Sequence, residues 1–147
     1  MSKTIELKSN EPLYTLSIAA KLSGIPTHSI RQYIDKGLII PFKLDSKRHL
    51  FSQIDIIHLN HINEQLDKQG LNIAGIKALM AQIPCWAIRN CSTKNRNKCQ
   101  AYHSITNPCW EASEKNRECK NEDCRECDVY RIVAKNQDVK SLLKTLL

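Results

Sequence analysis

Short apolar stretches with helical spacing, separated by single glycines, occupy the first half of the chain. A first helix is predicted to start at a capping residue, Thr15 or Ser17, and to end at Gly24. Its apolar side comprises Leu16, Ile18, Ala19 and Leu22. A second helix is predicted from about Thr27 to Gly37, and its inner face comprises Ile30, Tyr33 and Ile34. The pattern therefore predicts two short helices joined by a tight turn.

A hairpin and two further helices are predicted to follow. Residues 38–51 are apolar, then polar and basic, then apolar again, which is the pattern of a small hairpin with a basic tip. Ser52 and Asn72 are placed to cap two helices, which end before Gly70 and Pro84. The longer of the two has an acidic residue in its first turn. Its apolar residues are Ile54, Ile57, Leu59, Ile62 and Leu66.

Two short helices with a tight glycine turn, followed by a hairpin, form a winged helix-turn-helix, which lays its second helix in the major groove of DNA. Double-stranded DNA is therefore the expected partner. Arg and Gln pair bidentately with guanine and adenine, so we expect base edges to be read by outward residues of the second helix. These are His28, Ser29, Arg31 and Gln32. Phosphates are expected to contact Lys36, Lys43, Lys47 and Arg48.

The charge of the chain agrees with a polyanionic partner. Its 147 residues include 22 Lys and Arg against 15 Asp and Glu, a formal net charge of +7. The N-terminus has no apolar core of a signal peptide, and no apolar run is long enough to span a bilayer. We therefore expect a cytoplasmic protein with no membrane partner.

All seven cysteines lie in the second half of the chain, between residues 85 and 127, and two of them open Cys-Trp pairs. Aliphatic side chains are too few in this stretch to bury a core, so it needs a sulfur-based staple. In the cytosol, clustered cysteines are more often metal-binding or redox-active than disulfide-bonded. The candidate ligands are Cys85, Cys91, Cys99, Cys109, Cys119, Cys124 and Cys127.

The sequence leaves the staple undecided between an iron–sulfur cluster and Zn²⁺, with a thiol–disulfide switch as a third possibility. Cys124 and Cys127 have the spacing of two ligands for one metal, and Cys119 with Cys109 or Cys99 could complete four. Zinc ribbons, however, usually have two Cys-x2-Cys knuckles, and this chain has one.

Other side chains in the chain also have metal-binding or pocket-forming chemistry. His103 is a possible additional ligand within the cysteine segment, while His58 and His61, beside Glu64, are more typical of ordinary helix histidines. Two tryptophans could line a ligand pocket, but they are more typical of a core in a segment short of aliphatic residues. They are Trp86 and Trp110.

The C-terminal residues 131–147 are predicted to form an amphipathic helix. Apolar side chains recur there at helical spacing, at Val139, Leu142, Leu143 and Leu146. Helix-turn-helix proteins commonly bind paired half-sites, so this helix could pair with its copy in a homodimer. The alternative, that it packs on its own chain, is equally compatible with the pattern.

Residues 14–39, Tyr-Thr-Leu-Ser-Ile-Ala-Ala-Lys-Leu-Ser-Gly-Ile-Pro-Thr-His-Ser-Ile-Arg-Gln-Tyr-Ile-Asp-Lys-Gly-Leu-Ile, resemble the opening of a MerR-type winged helix-turn-helix domain. Residues 70–77, Gly-Leu-Asn-Ile-Ala-Gly-Ile-Lys, resemble the heat-shock-repressor branch of that family. The resemblance covers about residues 13–82. It implies that Arg31 and Tyr33 contact DNA from the recognition helix. It also implies that the wing grips flanking phosphate and minor groove through Lys47, Arg48 and His49.

The chain departs from the family pattern in three places. Ile34 stands where the family usually has an acidic residue, and His49 where the wing usually has an arginine. Pro84 and Cys85 interrupt the chain where the family usually continues into a long dimerisation helix. The operator sequence and the mode of dimerisation therefore do not follow from the resemblance.

The cysteine segment resembles a small module with two Cys-Trp pairs that is appended to bacterial sensory and regulatory proteins, which implies a role in sensing. We therefore expect a mainly α protein with a winged helix-turn-helix domain at 13–82, a metal-stapled cysteine module at 85–130 and a C-terminal helix at 131–147.

The expected function is transcriptional regulation through DNA, with the module sensing metal or redox state. The alternative is a structural zinc module that recruits a protein partner. A thiol oxidoreductase is a weak third option, because acidic neighbours raise the pKa of the Cys124 and Cys127 thiols, and we expect no enzyme.

Overall fold

The computed structural model of the chain describes residues 11–115, 119, 123–135 and 138–146. Its first helix, α1, spans Leu16–Ser23, and the hydroxyl of Thr15 caps it by accepting from the Ile18 N–H. The second helix, α2, spans Thr27–Asp35 and buries Ile30 and Tyr33. Both predicted helices of the helix-turn-helix are thus confirmed.

A small three-stranded antiparallel sheet forms beside these helices. Its strands are β1 at Tyr14–Thr15, β2 at Phe42–Lys43 and β3 at His49–Phe51, in the order β1-β3-β2. The pairing of β2 with β3 confirms the predicted hairpin, which is the wing. Strand β1 was not predicted, because its pairing with Phe51 and Leu50 is a contact between residues far apart in the sequence.

The two capped helices are also confirmed. Helix α3 spans Gln53–Asp67 and begins with a capping box, in which Ser52 and Asp55 each bind the other's backbone N–H. Helix α4 spans Ile73–Ala81 and is capped by Asn72. Not every apolar residue of the predicted helix patterns lies inside: Ile57 is 39% exposed, Ile18 44% and Leu22 53%, whereas Ile56 is 5% exposed and lies in the core.

Among its described residues, the cysteine segment contains short helical pieces. These pieces are α5 at Cys85–Ile88, α6 at Thr93–Asn97, α7 at Gln100–His103 and two 3₁₀ turns at Cys109–Glu111 and Cys124–Glu126. Two longer helices follow, α8 at Asp128–Lys135 and α9 at Val139–Leu146. Helix α8 therefore crosses the expected boundary between residues 130 and 131.

The C-terminal helices pack on their own chain. Helix α8 lies against α3, and the buried side chains of Val129, Val133 and Leu142 belong to the same core as the helix-turn-helix. The predicted helix is interrupted at Asp138, whose carboxylate caps α9 by accepting from the Ser141 N–H. Its course through residues 136, 137 and 147 lies outside the described residues. Because Leu142 is only 1% exposed, that side of the helix is not free to pair with a second copy.

The structure is mainly helical, as predicted from the sequence. In the part of the chain that the structure describes, no helix combines the length and the apolar character needed to cross a bilayer.

Candidate nucleic-acid interface and cysteine pocket

Helix α2 presents a polar face to solvent because its apolar residues face the core. Ile30 is fully buried, which fixes the rotation of the helix. The predicted base-reading residues lie on the other side, where His28, Arg31 and Gln32 are exposed and Ser29 is half-buried. Lys36, the C-cap of α2, is exposed as well. The face can therefore offer one guanidinium, one amide and one ammonium group to a polyanion.

Tyr33 differs from the other predicted contacts because only 4% of its surface is exposed. Burial is also the main cause of the raised pKa of its hydroxyl, with a smaller contribution from Asp67. The ring therefore belongs to the core of the helix-turn-helix, and little of it is available to DNA. The contact that the family resemblance implies for Tyr33 stays a prediction.

The tip of the wing is a tight turn that carries basic side chains into solvent. The Leu44 N–H donates to the Arg48 carbonyl at 2.9 Å, and the Lys47 N–H donates to the Leu44 carbonyl at 2.8 Å. Lys47 adopts a left-handed backbone with φ of 66°, so the turn has a conformation that favours glycine. Lys43, Lys47 and Arg48 are exposed, and His49 is half-buried opposite Lys43.

All seven cysteines, each of them among the described residues, are thiols that line a single cavity. The empty space of the whole cavity, including its opening to solvent, is about 580 Å³. The wall also includes four aromatic rings and three basic side chains. These are Trp86, Tyr102, Trp110 and Tyr130, with Arg89, Arg96 and Lys115. The structure thus brings together seven residues that span more than 40 positions of the sequence.

The cavity wall has an internal repeat. In each half of the segment a Cys-Trp pair is followed by a Cys-x-x-Tyr sequence, which ends at Tyr102 in the first half and at Tyr130 in the second. Trp86 meets Tyr102 edge to face at 5.1 Å and 88°, and Trp110 meets Tyr130 at 5.1 Å and 89°. The tryptophans therefore line the pocket and pack against its tyrosines, so both roles expected from the sequence are present.

The thiols lie close enough to influence one another. The Cys109 thiol donates to the sulfur of Cys85 and is the main cause that lowers the pKa of Cys85 to about 7, against the opposing effect of burial. The same bond, burial and the neighbouring Cys127 and Cys124 raise the pKa of Cys109. The Lys115 ammonium lies 2.9 Å from the sulfur of Cys124. Basic side chains on the wall can thus balance the charge of thiolates.

The thiols surround a space and do not converge on a point. Within the described ranges, no group of three or more His, Cys, Asp or Glu side chains is arranged to hold a metal ion. His103 does not line the cavity, and its Nε2 lies 2.8 Å from the carbonyl oxygen of Asn97. His58 is buried in the core, edge to face with Tyr130, and lines a different cavity with His61. The ordinary helix role expected for His58 and His61 agrees with these positions, while the position of His103 gives no support to its role as a ligand.

The cysteine pocket is joined to the helix-turn-helix by a buried ion pair that sequence reasoning missed. Arg125 lies between two cavity cysteines, and its guanidinium binds both carboxylate oxygens of Asp55, at 3.0 and 2.8 Å. Arg125 is 8% exposed and Asp55 is 2% exposed. Burial alone lowers the pKa of Arg125, but the carboxylate outweighs it and the pKa is raised. The available signal was that Arg125 is the one basic residue in the acidic stretch 122–128.

Comparisons with known proteins agree with the fold of the first half. The sequence pattern of the MerR HTH family regulatory proteins matches residues 14–83. HspR of Streptomyces coelicolor, a heat shock protein by name, is 35% identical over 75 residues, which are 51% of this chain and 50% of that protein. The HTH-type transcriptional regulator GlnR of Bacillus anthracis, like that of Bacillus cereus, is 36% identical over 75 residues, or 51% of this chain and 57% of GlnR. The chain thus spans about half the length of the curated relatives it matches.

Proposed function

Because residues 14–83 are a helix-turn-helix domain of the MerR family, we propose that the protein is a sequence-specific DNA-binding transcriptional regulator and not an enzyme. Helix α2 enters the major groove, and the wing grips the flanking phosphates. The exposure of Arg31, Gln32, Lys36, Lys47 and Arg48 on these two elements supports the proposal. Regulation of transcription through DNA places the protein in the cytoplasm.

A selection experiment tests the DNA-binding part of this proposal. Random-sequence duplexes are passed over the protein, and the enriched sequences are compared with those enriched by the double variant Arg31→Ala and Gln32→Ala. The wild type should enrich one motif, and the variant should lose preference at particular base pairs, since each bidentate contact is worth about 1–3 kcal/mol of discrimination. Enrichment of the same motif by both proteins would contradict base reading by α2.

The cysteine pocket is the second part of the proposal: it binds an iron–sulfur cluster whose state sets the activity of the regulator. The observation that carries this is the gathering of seven thiols around one cavity. A cluster is held by cysteine thiolates that stand apart, because metal and sulfide atoms lie between them, whereas a single Zn²⁺ draws four ligands to one point. The arrangement around an open space favours the cluster.

Four of the seven thiols are the best candidates for ligands. Cys109 lies within electrostatic reach of Cys85, Cys124 and Cys127, and Cys85 also receives its hydrogen bond. We therefore propose these four as the cluster ligands. The wall cations Arg89, Arg96 and Lys115 would offset the negative charge of a cluster held by four thiolates.

Anaerobic purification followed by an absorption spectrum and elemental analysis tests the cluster. A brown protein that contains iron and sulfide and bleaches in air is the expected result. A colourless protein with one zinc per chain would contradict it and would favour a structural module that recruits a protein partner. A protein that holds neither iron nor zinc would overturn the metal site altogether.

Serine substitutions test the ligand set. Single variants Cys85→Ser, Cys109→Ser, Cys124→Ser and Cys127→Ser should each lower the iron and sulfide content, because serine is a poor ligand for a soft site. Cys91→Ser lines the same cavity and serves as the control, with an iron content equal to that of the wild type. Loss of iron from the control alone would reject the proposed set.

A homodimer remains part of the proposal, since paired half-sites are usual for helix-turn-helix proteins. Its interface must lie outside Val139 and Leu142, because both side chains pack in the core of their own chain. Sedimentation of the protein with and without DNA measures the assembly. A protein that binds its site only as a monomer would refute the dimer.

A further inference from the structure

Three side chains of the cysteine segment bind the backbone of residues 37–40, the segment that joins α2 to the wing. The Trp110 Nε1–H donates to the Gly37 carbonyl at 2.6 Å. The Ile40 N–H donates to the Tyr130 hydroxyl at 2.7 Å, and Arg125 donates to the Ile40 carbonyl at 2.8 Å. Nothing in local sequence requires these bonds, because their partners are 73 to 90 positions apart.

Each of these three side chains is attached to the chain close to a thiol of the pocket. Trp110 follows Cys109 directly, and Arg125 lies between Cys124 and Cys127 in a 3₁₀ turn. Tyr130 is three residues beyond Cys127, in the first turn of α8. Because so few bonds separate them, a shift of these cysteine backbones must also move the groups that hold residues 37–40.

Arg125 has the most connections of the three. Its guanidinium binds the Ile40 carbonyl, which lies just before β2, and the carboxylate of Asp55, which lies just after β3. That carboxylate also accepts from the Ser52 N–H at 2.8 Å, directly after the last residue of β3. One planar group thus ties both ends of the wing.

We propose that Arg125 is the positioning residue through which the state of the cysteine pocket sets the angle between the wing and α2. Occupation of the pocket fixes Cys124 and Cys127 and therefore the turn that carries Arg125. Loss of the occupant frees that turn, so the two ends of the wing lose their common anchor. The inference rests on the proposed function, because it needs a pocket that is occupied in one state and empty in the other.

The backbone amide of Ile40 reports on this connection through the same residue: its N–H donates to the Tyr130 hydroxyl, while its carbonyl accepts from Arg125. Hydrogen exchange at Ile40 is measured by NMR in protein reconstituted anaerobically with iron and sulfide, and again after removal of iron with a chelator. In the wild type, exchange should be slower by about tenfold or more in the loaded form. In Arg125→Lys the two forms should exchange at nearly equal rates, because an ammonium keeps the charge beside Asp55 but cannot span both partners.

The matched control is Arg131→Lys. Arg131 lies on α8, and its ion-pair partner is Glu126 on the surface. This variant should keep the wild-type ratio of exchange rates. A merely structural role for Arg125 would change the exchange of both forms alike and leave their ratio intact, so the ratio separates the two roles.

A second variant, at Trp110, tests the inference independently in case Arg125→Lys does not fold. Trp110→Phe keeps an aromatic ring in the pocket wall but removes the donor to Gly37, and it should also reduce the ratio at Ile40. The affinity for a selected DNA duplex should change between loaded and iron-free wild type and change less in either variant. If both variants bind iron and keep the wild-type ratio, the inference is overturned while the cluster stands. If the wild type takes up no iron–sulfur cluster, the proposed function itself fails.

Discussion

Gly37 and Gly24 have the same backbone conformation in different surroundings. Both follow a helix of the helix-turn-helix with a positive φ, 78° and 74° respectively. An added Cβ at Gly24 would meet nothing within 4 Å, whereas at Gly37 it would overlap the carboxyl group of Glu111. Glycine at position 37 is therefore favoured by the turn, and a larger residue there would also displace the flexible side chain of Glu111.

Alanine substitutions at the two glycines separate these requirements. Gly24→Ala should lower the free energy of unfolding by about 1 kcal/mol, the cost of a left-handed alanine. Gly37→Ala should lower it further, because Glu111 must move away from Lys77, its ion-pair partner at 3.6 Å. That excess should not exceed about 1 kcal/mol, since the pair is partly exposed. Urea unfolding measures both values, and the excess should vanish in a Glu111→Ala background; an excess that persists there would point to another cause.

The buried imidazole of His58 makes the fold sensitive to acid. Burial, and to a lesser degree His61, lowers the pKa of His58 from 6.5 to about 3. Among the described residues, neither ring nitrogen of His58 has a hydrogen-bond partner. The folded protein therefore holds the ring neutral at a pH where the unfolded chain protonates it.

The sign of the pH effect follows from this difference. The contribution of neutral His58 to the free energy of unfolding should be fully present above pH 6.5. As the pH falls from 6.5 towards 3, the free energy of unfolding should decrease, by at most about 1.4 kcal/mol per pH unit from this residue. Urea unfolding at several pH values, compared with His58→Leu, measures the contribution, and the variant should lose less stability in acid. His28→Leu changes an exposed histidine and should follow the wild type. Parallel pH profiles for wild type and His58→Leu would contradict the prediction.

At the scale of single elements, the tip of the wing carries Lys47, whose left-handed backbone is unfavourable for lysine but whose positive charge can contact a phosphate. Lys47 has a φ of 66°, which glycine adopts without strain. Lys47→Gly therefore keeps the turn and removes the side chain with its ammonium group. We expect weaker DNA binding and a slope of log affinity against log salt that is smaller by about 0.9, the value for one phosphate contact.

The salt dependence of this variant is measured by titrating a selected duplex at several salt concentrations. Lys68→Ala removes the same charge from the C-cap of α3, which is part of neither α2 nor the wing, and should leave the slope unchanged. Equal slopes for Lys47→Gly and the wild type would exclude a phosphate contact at the tip of the wing.

Elements whose signals are local could be predicted from the sequence. Thr15, Ser52 and Asn72 cap the helices expected of them, because a cap depends on residues within a single turn. Strand β1 and the position of α8 could not be predicted in this way. Their partners, Phe51 and helix α3, are chosen by the tertiary fold and leave no mark on neighbouring residues.

At the scale of the whole molecule, the sequence suggests two independent units and the structure contains one core. The cysteine composition was sufficient to predict a sulfur-lined site, since all seven cysteines line the pocket. Composition could not reveal the contacts of Arg125 and Tyr130 with residues 37–55, which connect the pocket to the helix-turn-helix domain. The first half is thus supported by the second.

Because the two halves share one core, the full chain should unfold in one cooperative transition. Both tryptophans, Trp86 and Trp110, lie in the cysteine segment, so their fluorescence reports on that segment and its contact with Gly37, while helical circular dichroism follows the whole chain. Urea midpoints from the two signals, measured anaerobically on the protein as purified, should coincide. A fragment of residues 11–83 lacks Arg125, the ion-pair partner of Asp55, and lacks helix α8, which packs on α3. The fragment should therefore be less stable than the full chain; separate midpoints, or a fragment as stable as the whole, would show that the two halves fold independently.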